Sequence, residues 1–102
     1  MIKARIIFWR DIPVQVKVRN GRICHTQPLS PRFQQAVHRA AYRGKAISGD
    51  AYVQEWRLSD WQEREGILEE VVMAITTENE IAYSDDRLDK LAHNKGYEPH
   101  ED

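Results

Sequence analysis

Three valines at alternate positions, Val14, Val16 and Val18, run into the dipeptide Asn20-Gly21. A period of two places these valines on one face of a strand and Gln15, Lys17 and Arg19 on the other. Asn-Gly is the strongest short hairpin signal, because both central residues of a type I′ turn need positive φ. The hairpin it predicts sets Arg19 against Arg22 and Val18 against Ile23. Upstream, Ile2, Ala4, Ile6 and Phe8 alternate with Lys3, Arg5, Ile7 and Trp9, which predicts a second strand over 2–9. Asp11-Ile12-Pro13 supplies the turn between them. A three-stranded antiparallel meander over about 2–26 follows, with one apolar face that needs a cover.

The cover is legible downstream. Ser30-Pro31 is a helix start, with serine as N-cap and proline at the first helical position. Phe33, Ala36, Val37, Ala40 and Ala41 then recur at helical spacing up to Gly44, a candidate C-terminal cap. Lys45–Asp50 is a loop containing Ser48-Gly49. Residues 51–58 are rich in aromatic and branched side chains and predict another strand, with Tyr52, Gln54, Trp56 and Leu58 on one face. Leu68, Val71, Val72, Ile75 and Ala82 predict a helix over 67–83, and Ser84-Asp85-Asp86 either ends it or opens a short one carrying Leu88 and Leu91. The expected fold class is α+β: a small antiparallel sheet in β-β-β-α-β-α order with two helices packed on one face. The other face would show Ile7, Trp9 and several long basic side chains. One domain is expected over 1–92, with a polar, flexible tail over 93–102.

The 102 residues suit a single modest core. Val, Ile, Leu and Phe together number 23, above the level at which disorder becomes the better expectation. No apolar run, Ile6–Trp9 included, is long enough for a membrane span or a signal peptide. The single cysteine, Cys24, excludes an internal disulfide, and a reducing, cytoplasmic setting is expected, with no membrane partner.

The net charge of -1 conceals an asymmetry. Residues 1–45 hold ten bases and one acid, while residues 46–102 hold five bases and fifteen acids. Either the halves fold against each other and neutralise, or they form separate faces for a partner, including another copy of the chain. Arg32, Arg39 and Arg43 fall on one edge of the 31–43 helix, a row suited to phosphates, to an acidic partner, or to the acidic second half.

Arginine and aromatic residues concentrate in two segments, Trp9-Arg10-Asp11 and Tyr52 to Arg57. These are the residue types that dominate binding hot spots, although a small domain also uses them for ordinary core and rim packing. The candidate partner-binding surface combines Trp9, Arg10, Asp11 and Gln15 with Tyr52, Glu55, Trp56 and Arg57, flanked by Arg39 and Arg43. Trp56 is expected to be buried and Trp61 partly exposed. Cys24, His25, His38, His93 and His100 lack metal-ligand spacing, and Cys24 and His25 point to opposite faces of their strand, so no catalytic residue, metal or cofactor is assigned.

The stretch Phe8-Trp9-Arg10-Asp11-Ile12-Pro13-Val14-Gln15-Val16, then Leu29-Ser30-Pro31-Arg32-Phe33, Ala36 and Arg39-Ala40-Ala41, then Asp50-Ala51-Tyr52 and Glu55-Trp56-Arg57, resembles the small bacterial virulence factor domain family. It is similar to the domain that closes conserved virulence factor C. In the larger proteins this domain looks like an appendage to an iron–sulfur-scaffold-like domain and helical repeats. The resemblance implies a non-catalytic accessory or protein-interaction role in a bacterial cytoplasmic complex. Two alternatives stand beside it: a nucleic-acid-binding regulator using the basic first half, and a small helper subunit of a redox or one-carbon-metabolism enzyme.

Overall fold

The computed structural model describes residues 2–46 and 49–98. Strands β1 (Ile2–Trp9), β2 (Ile12–Asn20) and β3 (Ile23–Pro28) form the expected meander. Helix α1 (Pro31–Arg43) and a single helical turn α2 (Gly49–Val53) lead to two short strands, β4 (Trp56–Leu58) and β5 (Gln62–Arg64). Helices α3 (Leu68–Ala82) and α4 (Asp85–His93) complete the order. The class is α+β, with a five-stranded antiparallel sheet in the order β3-β2-β1-β4; β5 also pairs with β1. β4 and β5 share one edge of β1, at Ile7–Trp9 and Ile2–Ala4 respectively. Ser59 bridges the gap: its hydroxyl accepts from the Ile6 N–H at 2.8 Å, and its own N–H donates to the Ile6 carbonyl at 2.9 Å.

The hairpin register differs from the expected one. Asn20 pairs with Ile23 and Val18 with His25, so the turn residues are Gly21 and Arg22. Only Gly21 has positive φ, +62°, which is the requirement at the first central position of a type II′ turn. A shift of two residues leaves every side chain on its intended face, so the alternation was insensitive to it. The strand expected over 51–58 is a second departure. Its first half is helical, with the Gln54 N–H donating to the Asp50 carbonyl at 2.9 Å. This turn brings Tyr52 and Trp56 together edge to face, which strict alternation would have spaced along one strand. Ser84-Asp85-Asp86 does both things open to it: α3 ends before it and α4 starts on it, with the Ser84 hydroxyl accepting from the Arg87 N–H. The described residues therefore hold four helical segments rather than two, with α1 and α3 against β2 and α4 against α1.

Ser30 sits at the α1 N-cap position, but its hydroxyl does not cap the helix. It donates instead to Glu80 at 2.8 Å, and the Ser30 N–H donates to the same carboxylate at 2.7 Å. At the other end of α1 the left-handed residue is Lys45, with φ +58°, and not Gly44. The Ala46 N–H closes onto the Ala41 carbonyl at 2.8 Å, the long bond of a Schellman ending.

The core joins Ile2, Ala4, Val16 and Val18 of the sheet to Val71, Val72 and Ile75 of α3, and continues through Ile12, Phe33, Val37, Leu88 and Leu91. Trp9 belongs to it. Alternation placed Trp9 on the outer face with Ile7, yet it has no exposed surface. The register slips between Ile7 and Phe8, and bulges of this kind increase local twist and re-aim side chains. Just beyond it the chain turns through Arg10 at φ +53°, so the end of β1 is enclosed by Tyr52 and Gly96. Of the tail expected over 93–102, residues 99–102 lie outside the described residues, as does Ser48 of the expected loop.

Candidate functional site

Seven of the ten candidate residues converge: Trp9, Arg10, Asp11, Tyr52, Glu55, Trp56 and Arg57. The Trp9 indole N–H donates to the Tyr52 carbonyl at 2.9 Å, and the two rings stack with centroids 5.6 Å apart. The Arg10 guanidinium lies between the Trp9 and Tyr97 rings, 4.8 and 4.7 Å from their centroids. It donates to the Lys95 carbonyl at 2.7 Å and meets the Glu55 carboxylate at 3.4 Å. A methyl group at Gly44 would come within 3.0 Å of this guanidinium, so the absent side chain leaves room for it. The Arg57 Nε–H donates to the Arg10 carbonyl at 2.8 Å, and its Nη2 pairs with Asp11 at 3.1 Å. Asp11 also accepts the Glu98 N–H at 2.8 Å, while the Asp11 N–H donates to the Gly96 carbonyl at 2.8 Å.

The convergence is a knot that ties three distant segments together: the β1–β2 turn, the α2–β4 joint and the chain after α4. Only 10% of the Arg10 side chain is exposed. Such a network fixes geometry, because each charge is committed to a partner within the chain. Trp56 is half-buried rather than buried, and Trp61 is half-buried. Gln15 stands apart on the outer face of the sheet, paired with Ile7 and Pro28.

Arg39 and Arg43 also stand apart, on the flank of α1 that meets α4. The arginine row is largely matched by the acidic half. Arg32 reaches Glu80 at 3.2 Å and Asp85 at 3.1 Å, Arg39 reaches Asp89 at 2.8 Å, and Arg43 donates toward the His93 ring at 3.3 Å. Burial alone would raise the Glu80 pKa, but the Ser30 donors and Arg32 outweigh it and hold the carboxyl below its ordinary value. Between α1 and α4 opens a cleft of about 810 Å³, lined by His38, Arg39, Tyr42, Arg43, Lys45 and His93 among others. A second hollow shares His38 and Tyr42 and extends to Ala41 and Tyr52. Tyr42 stands 75% exposed within this region. Sequence reasoning missed Tyr42, Lys45 and the two histidines, whose convergence depends on where α4 docks. The i, i+4 spacing of His38 and Tyr42 was the only local sign.

The outer sheet face differs from the α1 flank. Lys3 pairs across with Arg19, and Arg5 with Lys17. None of these four bases is within salt-bridge distance of an acid among the described residues. Arg5 lies over the Trp61 ring at 4.0 Å, and Arg19 approaches the same ring at 5.2 Å. At the opposite sheet edge, Cys24 is a free, exposed thiol on β3. No group of three or more His, Cys, Asp or Glu residues is placed to hold a metal ion among the described residues. No described helix is long and apolar enough to cross a membrane.

Neither the curated proteins nor the solved structures yield a match to this chain. A family model described as "Virulence factor" matches residues 7–92, the span that holds β2, α1, α4 up to Ala92 and the Trp9–Arg57 part of the knot, without Lys95–Glu98. With most of its length inside that match, the chain belongs to the virulence factor family.

Proposed function

We propose that this chain is a non-catalytic accessory domain that binds an acidic segment of another protein within a bacterial cytoplasmic complex, using the α1–α4 cleft. The observation that carries the reading is the makeup of that cleft. An exposed tyrosine, Tyr42, stands among Arg39, Arg43 and Lys45, with Asp89 as the acid at its edge. Tyrosine and arginine are enriched among the few residues that dominate the binding energy of protein interfaces. The partner carries the complementary charge, because opposed potentials steer association and set specificity. Arg39 is already paired with Asp89, while Arg43 and Lys45 meet no acid among the described residues and remain for the partner; the His93 contact aligns Arg43 in advance, so less side-chain freedom is lost on binding. The knot at Arg10 acts through shape: it holds the Lys95 carbonyl just after α4 and leaves its guanidinium close beside Gly44 at the end of α1.

A photo-crosslinking side chain in place of Tyr42, used in the native cell, tests this. The expected product is one dominant adduct whose crosslinked peptide is rich in aspartate and glutamate. Its yield should collapse when Arg43→Glu and Lys45→Glu are added. Adducts to apolar or basic peptides, or a yield indifferent to charge reversal, would overturn the reading.

A further inference from the structure

The sheet presents two cations directly opposite two others: Lys3 against Arg19 and Arg5 against Lys17. Directly opposed partners in an antiparallel pair lie about 4.5–5.5 Å apart at Cα, and same-face neighbours along a strand about 7 Å apart. Four like charges therefore crowd a flat area roughly 5 by 7 Å at the backbone. Like charges placed opposite each other destabilise a sheet. This face leaves that repulsion without an acid in contact, although Glu63 is aligned with Lys3 on the neighbouring strand. The arrangement contrasts with α1, where Arg32 and Arg39 each meet a carboxylate. The Arg5 Nε is buried without a hydrogen-bond partner, as is the Arg10 Nε, but Arg10 has a carbonyl and a carboxylate on its terminal nitrogens and Arg5 meets no acid among the described residues. What Arg5 and Arg19 share instead is the Trp61 ring.

We infer that the outer sheet face, with Lys3, Arg5, Lys17, Arg19 and Trp61, binds single-stranded nucleic acid. Its phosphates take the place of the missing acids, and a base stacks on the indole–guanidinium platform. Flat sheets that combine backbone-tracking cations with a stacking aromatic suit single strands, since unpaired bases offer a π-face. An acidic polypeptide could meet the cations but would leave the indole without a stacking partner. A duplex keeps its bases stacked on one another. This surface is separate from the α1–α4 cleft, and the two inferences stand or fall independently.

The test uses the full chain and a fluorescent single-stranded oligonucleotide of about 12 nucleotides, titrated by anisotropy at low salt. A duplex of equal length and a polyglutamate peptide serve as competitors. The expected result is saturable binding that neither competitor displaces at equal charge. Trp61→Ala should weaken it by about tenfold or more. Lys17→Gln with Arg19→Gln should lower the slope of log affinity against log salt by about 1.4, the value for two lost phosphate contacts on a single strand. The same double variant should melt at a higher temperature than the parent, which separates lost contacts from a damaged fold. Absence of binding at about 50 mM salt would overturn the inference. So would equal displacement by polyglutamate with no effect of Trp61→Ala, which would mark the face as a site for acidic protein.

Discussion

Two regions of this molecule are built from the same parts and do opposite things. In the knot, Arg10 lies over Trp9 and Tyr97 while a carbonyl and a carboxylate take its donors. On the outer sheet face, Arg5 lies over Trp61 beside three further cations and no contacting acid. The first arrangement is closed: its tryptophan has no exposed surface, and Arg10, Asp11, Glu55 and Arg57 pair with one another within the chain. The second is open, and its charges repel. An arginine–tryptophan contact is therefore not a sign of a binding site in itself. What distinguishes the two is whether the guanidinium is already matched. The first case contributes stability; the second gives some up and leaves capacity for an anion.

Substitution should break this symmetry most visibly at Trp9. Trp9→Ala removes a fully enclosed ring and should cost about 3–5 kcal/mol in denaturant unfolding. A loss under 1 kcal/mol would mean the knot is not closed. Arg10→Ala strips charge-assisted bonds from Lys95 and Glu55 and should cost about 2–3 kcal/mol by the same measurement. Trp61→Ala, by contrast, should leave stability within about 1 kcal/mol, since that ring is only half-buried.

Two of the four positive-φ glycines among the described residues sharpen the contrast. Gly96 has φ +92°, and a Cβ there would lie 3.1 Å from the Trp9 ring, so Gly96→Ala should cost about 2–3 kcal/mol. Gly21, at φ +62° in open space, should cost about 1 kcal/mol on the same change. Equal losses would show that backbone strain alone matters at both sites.

The paired arginine row carries a pH signature. Glu80 titrates below its ordinary value when folded, so its stabilisation is present above the unfolded pKa and is lost as pH falls through the folded one. Glu80→Gln should therefore cost about 1–2 kcal/mol at neutral pH, with the gap to the parent closing below about pH 4.3 in urea titrations. A gap that stays constant with pH would show that Glu80 acts by shape alone. The smallest effect has the opposite sign: Arg19→Gln on the open face should stabilise the chain by a few tenths of a kcal/mol at low salt. That gain should vanish in high salt as the repulsion is screened.

Much of this architecture was readable along the chain because it depends on short-range periodicity. The valine alternation, the Ser30-Pro31 start, and the apolar spacing of α1 and α3 gave their elements to within a residue or two. Gln62–Arg64 was missed as a strand because three polar residues carry no period of their own and pair only because β1 offers an edge. Tyr52 was misplaced on a strand because aromatic enrichment speaks for sheet, whereas here one helical turn serves to bring two rings together. The meeting of Trp9, Arg10 and Asp11 with Tyr52, Glu55 and Arg57 followed from residue type. Their enclosure did not, since Lys95, Gly96, Tyr97 and Glu98 come from a segment with almost nothing apolar to announce it.

Alternation and helical spacing, which act over a few residues, determined the α+β class and the faces of the strands up to the bulge at Ile7/Phe8, and composition alone gave the excess of base in the first half. Which bases would find acids, and which aromatic would be sealed, rested on contacts between segments forty to ninety residues apart. α4 docked on α1 and brought Asp89 and His93 to Arg39 and Arg43. No helix places an acid against Lys3, Arg5, Lys17 or Arg19 among the described residues. Local pattern sets where a side chain points, but charge compensation depends on distance through space, and only the folded chain sets that distance.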